Sequence, residues 1–186
     1  MNILMFLDII LGVSFPLIAI LLYIKNYITR EHFIIFWIGF FIGSTWEFYF
    51  NFLGEDFVVI LVEWPFSGML RRLVHTSWDA ALFVCGFLLV KAYNNYFLNK
   101  NDYCESYSNM DLIIMVLWGS LTSILVEFLG NGHLWEYQPN NFNPVWLTIG
   151  EQDYTLLPQI IWLIAPVIFY FSILIINKKK KKKFPF

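Results

Sequence analysis

Five stretches of this chain are apolar over the length of a membrane-crossing helix: residues 3–24, 32–53, 72–93, 111–130 and about 156–177. A helix needs roughly 20 such residues to cover the hydrocarbon layer. In lipid every backbone N–H and C=O must be satisfied within the segment, which selects helices. The expected fold is therefore all-α, an integral membrane bundle of five transmembrane helices. Its expected parts are an N-terminal helix and loop (1–31), a four-helix membrane domain (32–177) and a polybasic tail (178–186). Composition agrees. Only 14% of the 186 residues are charged, against about a quarter in a soluble domain.

Lys and Arg give the expected orientation. Lys178 to Lys183 follow the fifth run directly and read as a juxtamembrane stretch facing anionic cytoplasmic lipid, not as a nucleic-acid site. Five spans then put the N-terminus outside or in a lumen. Loops 25–31 and 94–110 fall inside, and loops 54–71 and 131–155 fall outside. Arg71 and Arg72 conflict with this scheme unless they snorkel or pair with Glu55, Asp56 or Glu63. Trp135, Tyr137 and Trp146 read as interfacial anchors. Residues 3–24 read as an uncleaved signal anchor, with Asp8 an interfacial residue. Cys85 and Cys104 give no disulfide framework.

The apolar runs are interrupted by a few polar groups near their outer ends. Glu47 and Asn51 lie in the second run, His75 and Asp79 in the third, Glu127 in the fourth, and Gln159 in the fifth. Residues four apart share a helix face. Ionisable groups at membrane depth cost at least about 2.5–3.5 kcal/mol each, so they mark candidate function. Trp46, Trp78 and Trp162 accompany this layer and offer faces that attract a cation. Glu47 is the expected proton donor or acceptor. Asp79, orienting His75 along the helix, is its expected counterpart. Asn51, Glu127, Gln159 and the three tryptophans are expected to line the ligand site. The plainer reading of these groups is helix packing and interfacial solvation. No recognised metal spacing appears, and neither a metal nor a cofactor is expected.

A weak repeat runs through the chain. Gly43-Ser44 and Phe52-Leu53-Gly54 recur at the same spacing as Gly119-Ser120 and Phe128-Leu129-Gly130. With a longer following loop, His75 to Trp78 falls on Gln159 to Trp162. Spans two–three and four–five read as two parallel copies of a helix pair. That arrangement keeps a small proton-coupled transporter among the readings.

Two local patterns resemble the EXPERA family, which includes emopamil-binding sterol isomerases. One is Gln159-x-x-Trp162-x-x-x-Pro166, where the isomerases carry Asn first. The other is Ile42 to Phe50 followed by Leu53 to Asp56, which sets Glu47 on a catalytic acid. The resemblance implies a five-span protein of the endoplasmic reticulum that binds a sterol-like or isoprenoid lipid. It also implies movement of a double bond by protonation and deprotonation, with Trp162 facing the carbocation and no cofactor. The chain departs from the family at two places. The site histidine expected four residues before the acid is Gly43, and the second acid falls near His75 or Thr76. These departures keep a non-catalytic lipid receptor or chaperone as the alternative. The surroundings of Glu127 and Trp135-Glu136-Tyr137 are similar to carotenoid-modifying membrane enzymes. A homodimer is left open.

Overall fold

The computed structural model describes residues 3–100, 104 and 106–183, with side chains as far as Lys178. Five long helices dominate: α1 (Ile3–Ile24), α2 (Arg30–Leu53), α3 (Gly68–Phe97), α4 (Asn109–Gly130) and α5 (Leu156–Lys183). Each contains a segment long and apolar enough to cross a membrane. The side chains of Thr29 and Ser108 cap the first turns of α2 and α4, satisfying amide groups that have no partner within the helix.

The structure is not all-α. The two connections at the Gly54 and Gly130 ends of α2 and α4 carry four short strands. Strand β1 (Val58–Ile60) pairs antiparallel with β2 (Trp135–Tyr137), and β3 (Val145–Ile149) pairs antiparallel with β4 (Gln152–Thr155). Buried asparagines organise these loops. Asn131 donates to the Asp153 carbonyl and accepts from the Tyr137 amide, and Asn143 Oδ1 accepts from Leu157 N at the start of α5. Loops stripped of bulk water need such internal partners for their backbone groups.

Small residues set the helix spacing. Lipid gives no hydrophobic drive between helices, so close backbone approach and van der Waals contact must supply it. Gly39 and Gly43 put two bare backbone positions on the α2 face toward α3. A Cβ at Gly43 would lie 2.7 Å from both Cβ and Oδ2 of Asp79. Gly119 does the same between α4 and α5, where a Cβ would stand 3.0 Å from the Trp162 carbonyl oxygen. The principal contacts are α2 with α3 and α4 with α5, with α3 touching α4 and α1 lying chiefly on α3.

The register of the expected repeat can be laid on these contacts. In it Glu47 falls on Ser123 and His75 on Gln159. Glu47 Oε2 lies 3.5 Å from His75 Nδ1, and Ser123 Oγ donates to Gln159 Oε1 at 3.3 Å. Strands β1 and β2 follow equivalent helix ends, Gly54 and Gly130, and pair with each other.

The opposite end of the bundle is tied shut. Asn94 donates to Asp111 at 2.8 Å, Asn177 donates to the Cys104 carbonyl at 2.9 Å, and the Tyr170 hydroxyl accepts from Ser108 N at 2.8 Å. Burial, with Asp111 and Glu31 nearby, pushes the Cys104 thiol up to about 12.

Candidate functional site: a roofed cavity among the helices

Between the helices, at the end that carries β1 and β2, lies a cavity of about 470 Å³. Trp46 and Trp162 line it and belong to an aromatic cluster behind the wall. Phe83 stacks on Trp162 at 5.3 Å and on Phe169 at 4.7 Å, while Trp46 meets Trp162 edge-on at 5.8 Å. Each such pair contributes about 0.5–1.5 kcal/mol beyond area burial. The roof is the β1–β2 sheet. Alternation along a strand sends Val58, Ile60, Trp135 and Tyr137 to the cavity side. Tyr137 is therefore a wall residue, not an interfacial anchor. Burial first, then the Glu127 and Glu47 carboxyls, raise its phenol well above the ordinary range. It stays a neutral hydrogen-bond donor at every physiological pH.

The polar wall is a connected network. Arg72 Nη1 donates to Glu47 Oε2 at 3.1 Å, and His75 Nε2 lies 3.0 Å from Asp8 Oδ2. His75 Nδ1 faces the same Glu47 oxygen. Both ring nitrogens thus face carboxylates, and both can donate only when the ring carries two protons. Trp64 and Trp135 enclose the ring at centroid distances of 5.4 and 5.7 Å.

Three expectations change here. Arg72 lies inside the bundle with Glu47, because α3 begins at Gly68, a turn earlier than the apolar run. It neither snorkels nor pairs with the loop acids. Asp8 is a member of the network and not an interfacial residue, and the Trp78 indole also donates to its backbone carbonyl at 3.2 Å. His75 is oriented by Asp8 and Glu47 instead of Asp79.

Asp79 stands beside the network. The Trp46 indole interacts with its carboxyl, while its Oδ2 packs toward Gly43 without a hydrogen-bond partner. Glu127, on α4, interacts with the Trp135 indole, whose N–H closes no full hydrogen bond. Neither carboxyl forms a hydrogen bond or ion pair with Arg72 or His75 among the described residues.

The cavity brings together Glu47, His75, Asp79 and Glu127 with Trp46, Trp78 and Trp162. It leaves out two expected members. Asn51 is exposed at the end of α2, beside Gly68. Gln159 lies outside the wall and accepts from Ser123. Asp8, Arg72, Trp118, Trp135 and Tyr137 are wall residues that the polar pattern alone did not select. Among the described residues no cluster of three or more His, Cys, Asp or Glu side chains has the arrangement of a metal site.

No protein-family model, no curated protein and no solved structure matches this chain.

Proposed function

We propose that the cavity binds a sterol-like or isoprenoid membrane lipid and moves one of its double bonds by proton transfer. The observation that carries this reading is an apolar, roofed cavity between membrane-crossing helices with two carboxyls in its wall, Glu127 and Asp79, one oxygen of the latter without a hydrogen-bond partner. One protonated carboxyl gives its proton to an alkene carbon. The cation so formed is flanked by the faces of Trp46 and Trp162. The other carboxylate removes a proton from the neighbouring carbon. One proton enters and one leaves, so the reaction needs no cofactor.

Glu47 takes a different role from the one the EXPERA resemblance implies. It is bound by Arg72 and His75 and fixes the network instead of donating a proton. The resemblance supports the reading at Trp162, which lies in the wall, and not at Gln159. The proposed orientation has the roofed end outside or lumenal and the lysine tail cytoplasmic, with the endoplasmic reticulum as the membrane implied by the resemblance.

The engagement of Glu47 also favours a second reading, a lipid receptor without chemistry. Heavy water separates the two. The protein is expressed in a sterol-containing host grown in deuterium oxide, and neutral lipids are compared by mass spectrometry with Asp79→Asn and Glu127→Gln controls. Deuterium at an allylic carbon, absent in both controls, is the expected result. No label, with lipid still co-purifying, establishes the receptor.

A further inference from the structure

Among the described residues, the most exposed side chains that line the cavity lie on α1 and α4. Leu7 and Leu11 of α1 and Leu125 and Leu129 of α4 line the cavity. Even so, 47%, 38%, 57% and 55% of their surfaces stay exposed. A side chain that lines a cavity and keeps that much exposure stands at its mouth. The helix arrangement explains the gap. α1 lies on α3 and α2, and α4 lies on α3 and α5, so α1 and α4 flank α3 without packing firmly on each other. The route toward water is covered by the β1–β2 roof. The route toward the opposite end is filled by the aromatic cluster behind the wall.

The cavity is also polarised. Glu47, Arg72 and His75 belong to the α2–α3 pair. The α4–α5 pair contributes one ionisable group to the wall, Glu127, and the mouth residues Leu7, Leu11, Leu125 and Leu129 are apolar. A volume of about 470 Å³ sits in the lower part of the roughly 300–1,000 Å³ range of small-molecule sites. An open mouth removes the upper limit on chain length.

We propose that the ligand is a chain-bearing amphiphile whose small polar or unsaturated end slides between α1 and α4 while its hydrocarbon tail stays in the bilayer. This rests on the reading of the cavity as a lipid site. It selects a linear isoprenoid or acyl-type lipid over a compact ring system held entirely inside. The polar end meets the α2–α3 wall and the Tyr137 hydroxyl, and the tail passes the leucines at the mouth.

The full chain is reconstituted in phosphatidylcholine vesicles with three photoreactive probes. Two are dodecanol and eicosanol bearing a diazirine beside the hydroxyl, and the third is a diazirine sterol. Adducts are mapped by peptide mass spectrometry. The expected result is saturable labelling of the inner wall around Trp46 and Trp162 by both alcohols, with no loss on lengthening the chain. Leu7→Trp with Leu125→Trp narrows the mouth and abolishes that labelling. Leu163→Trp, a lipid-facing position on α5 away from the cavity, leaves it intact. Labelling by dodecanol without eicosanol, labelling by the sterol alone, or indifference to the paired tryptophans overturns the inference while the cavity stays a lipid site. Inner-wall labelling by none of the three overturns the lipid reading itself.

Discussion

Arg72 and Glu47 meet at 3.1 Å with their side chains 5% and 11% exposed, and Glu47 is the one acid paired with Arg72 among the described residues. Removing one partner of a buried pair leaves an uncompensated charge and costs about 3–5 kcal/mol. Arg72→Met is expected to destabilise the protein by that order, read as a lower thermal midpoint of the detergent-purified chain. The double change Arg72→Met with Glu47→Leu is expected to recover most of it. Cys104 supplies a second check at this scale. Its buried thiol, pushed up to about 12, is expected to resist iodoacetamide at pH 8 until the chain is denatured, as mass spectrometry of the labelled peptide would show. The raised value also carries a sign. The folded state holds the thiol proton more tightly than the unfolded state does. This contribution to stability is complete below the ordinary thiol value and is lost as pH climbs toward about 12. Much of the site was legible at this scale, because an ionisable group inside an apolar run stands out on cost alone. That argument found Glu47, His75, Asp79 and Glu127. It missed Asp8 and Arg72 because both lie near the ends of their runs, where solvation is the cheaper reading. Their burial depends on partners elsewhere in the chain, 67 residues away for Asp8 and 25 for Arg72.

At the scale of elements, α1 is held by a polar latch and a close approach, besides the ring pairs Phe15–Trp78 and Tyr23–Phe33. The latch is Asp8 with His75 and the Trp78 indole. The approach is at Gly12, where a Cβ would lie 2.5 Å from Val74 Cγ1 and 2.8 Å from the Val74 carbonyl oxygen. Gly12→Leu is expected to push α1 off α3 at an overpacking cost of about 1–3 kcal/mol. Hydrogen–deuterium exchange would then rise in α1 and little elsewhere. Asp8→Asn keeps the shape but removes the charge, and a smaller rise confined to the N-terminal half of α1 is expected. The helices themselves were legible to within a few residues, since their apolar runs are long. The strands were not. VVI at 58–60 and WEY at 135–137 are too short to show a period, and their pairing depends on which helix ends the bundle brings together. The Asn-rich loops signal turns, but not that Asn131 and Asn143 would be buried inside them.

At the scale of the whole molecule, the proposed orientation makes the roof and the lysine tail face opposite sides. A cysteine placed at Phe142, which is 90% exposed in the loop before β3, is expected to react with a membrane-impermeant maleimide from the outer or lumenal side. A cysteine replacing Lys178 is expected to react only after the membrane is permeabilised. The reverse pattern inverts the assignment and moves the cavity mouth to the cytoplasmic leaflet. The bundle as a set of five helices was readable from hydropathy. The cavity was not, since it arises from the spacing between α1 and α4, neither of which carries a local sign of the gap.

The chain order of the buried network bears on how the protein is made. Asp8, Glu47, Arg72 and His75 all lie in α1, α2 and α3. A chain leaving the ribosome therefore holds every member of this charge cluster before any of α4 has been synthesised. The most hydrocarbon-averse groups can find one another early, and the first half of the nascent protein is electrically settled. Its β1 strand has no partner yet. Only when Trp135 to Tyr137 emerge does the chamber receive its cover, so the capacity to hold a ligand is among the last properties the growing chain acquires.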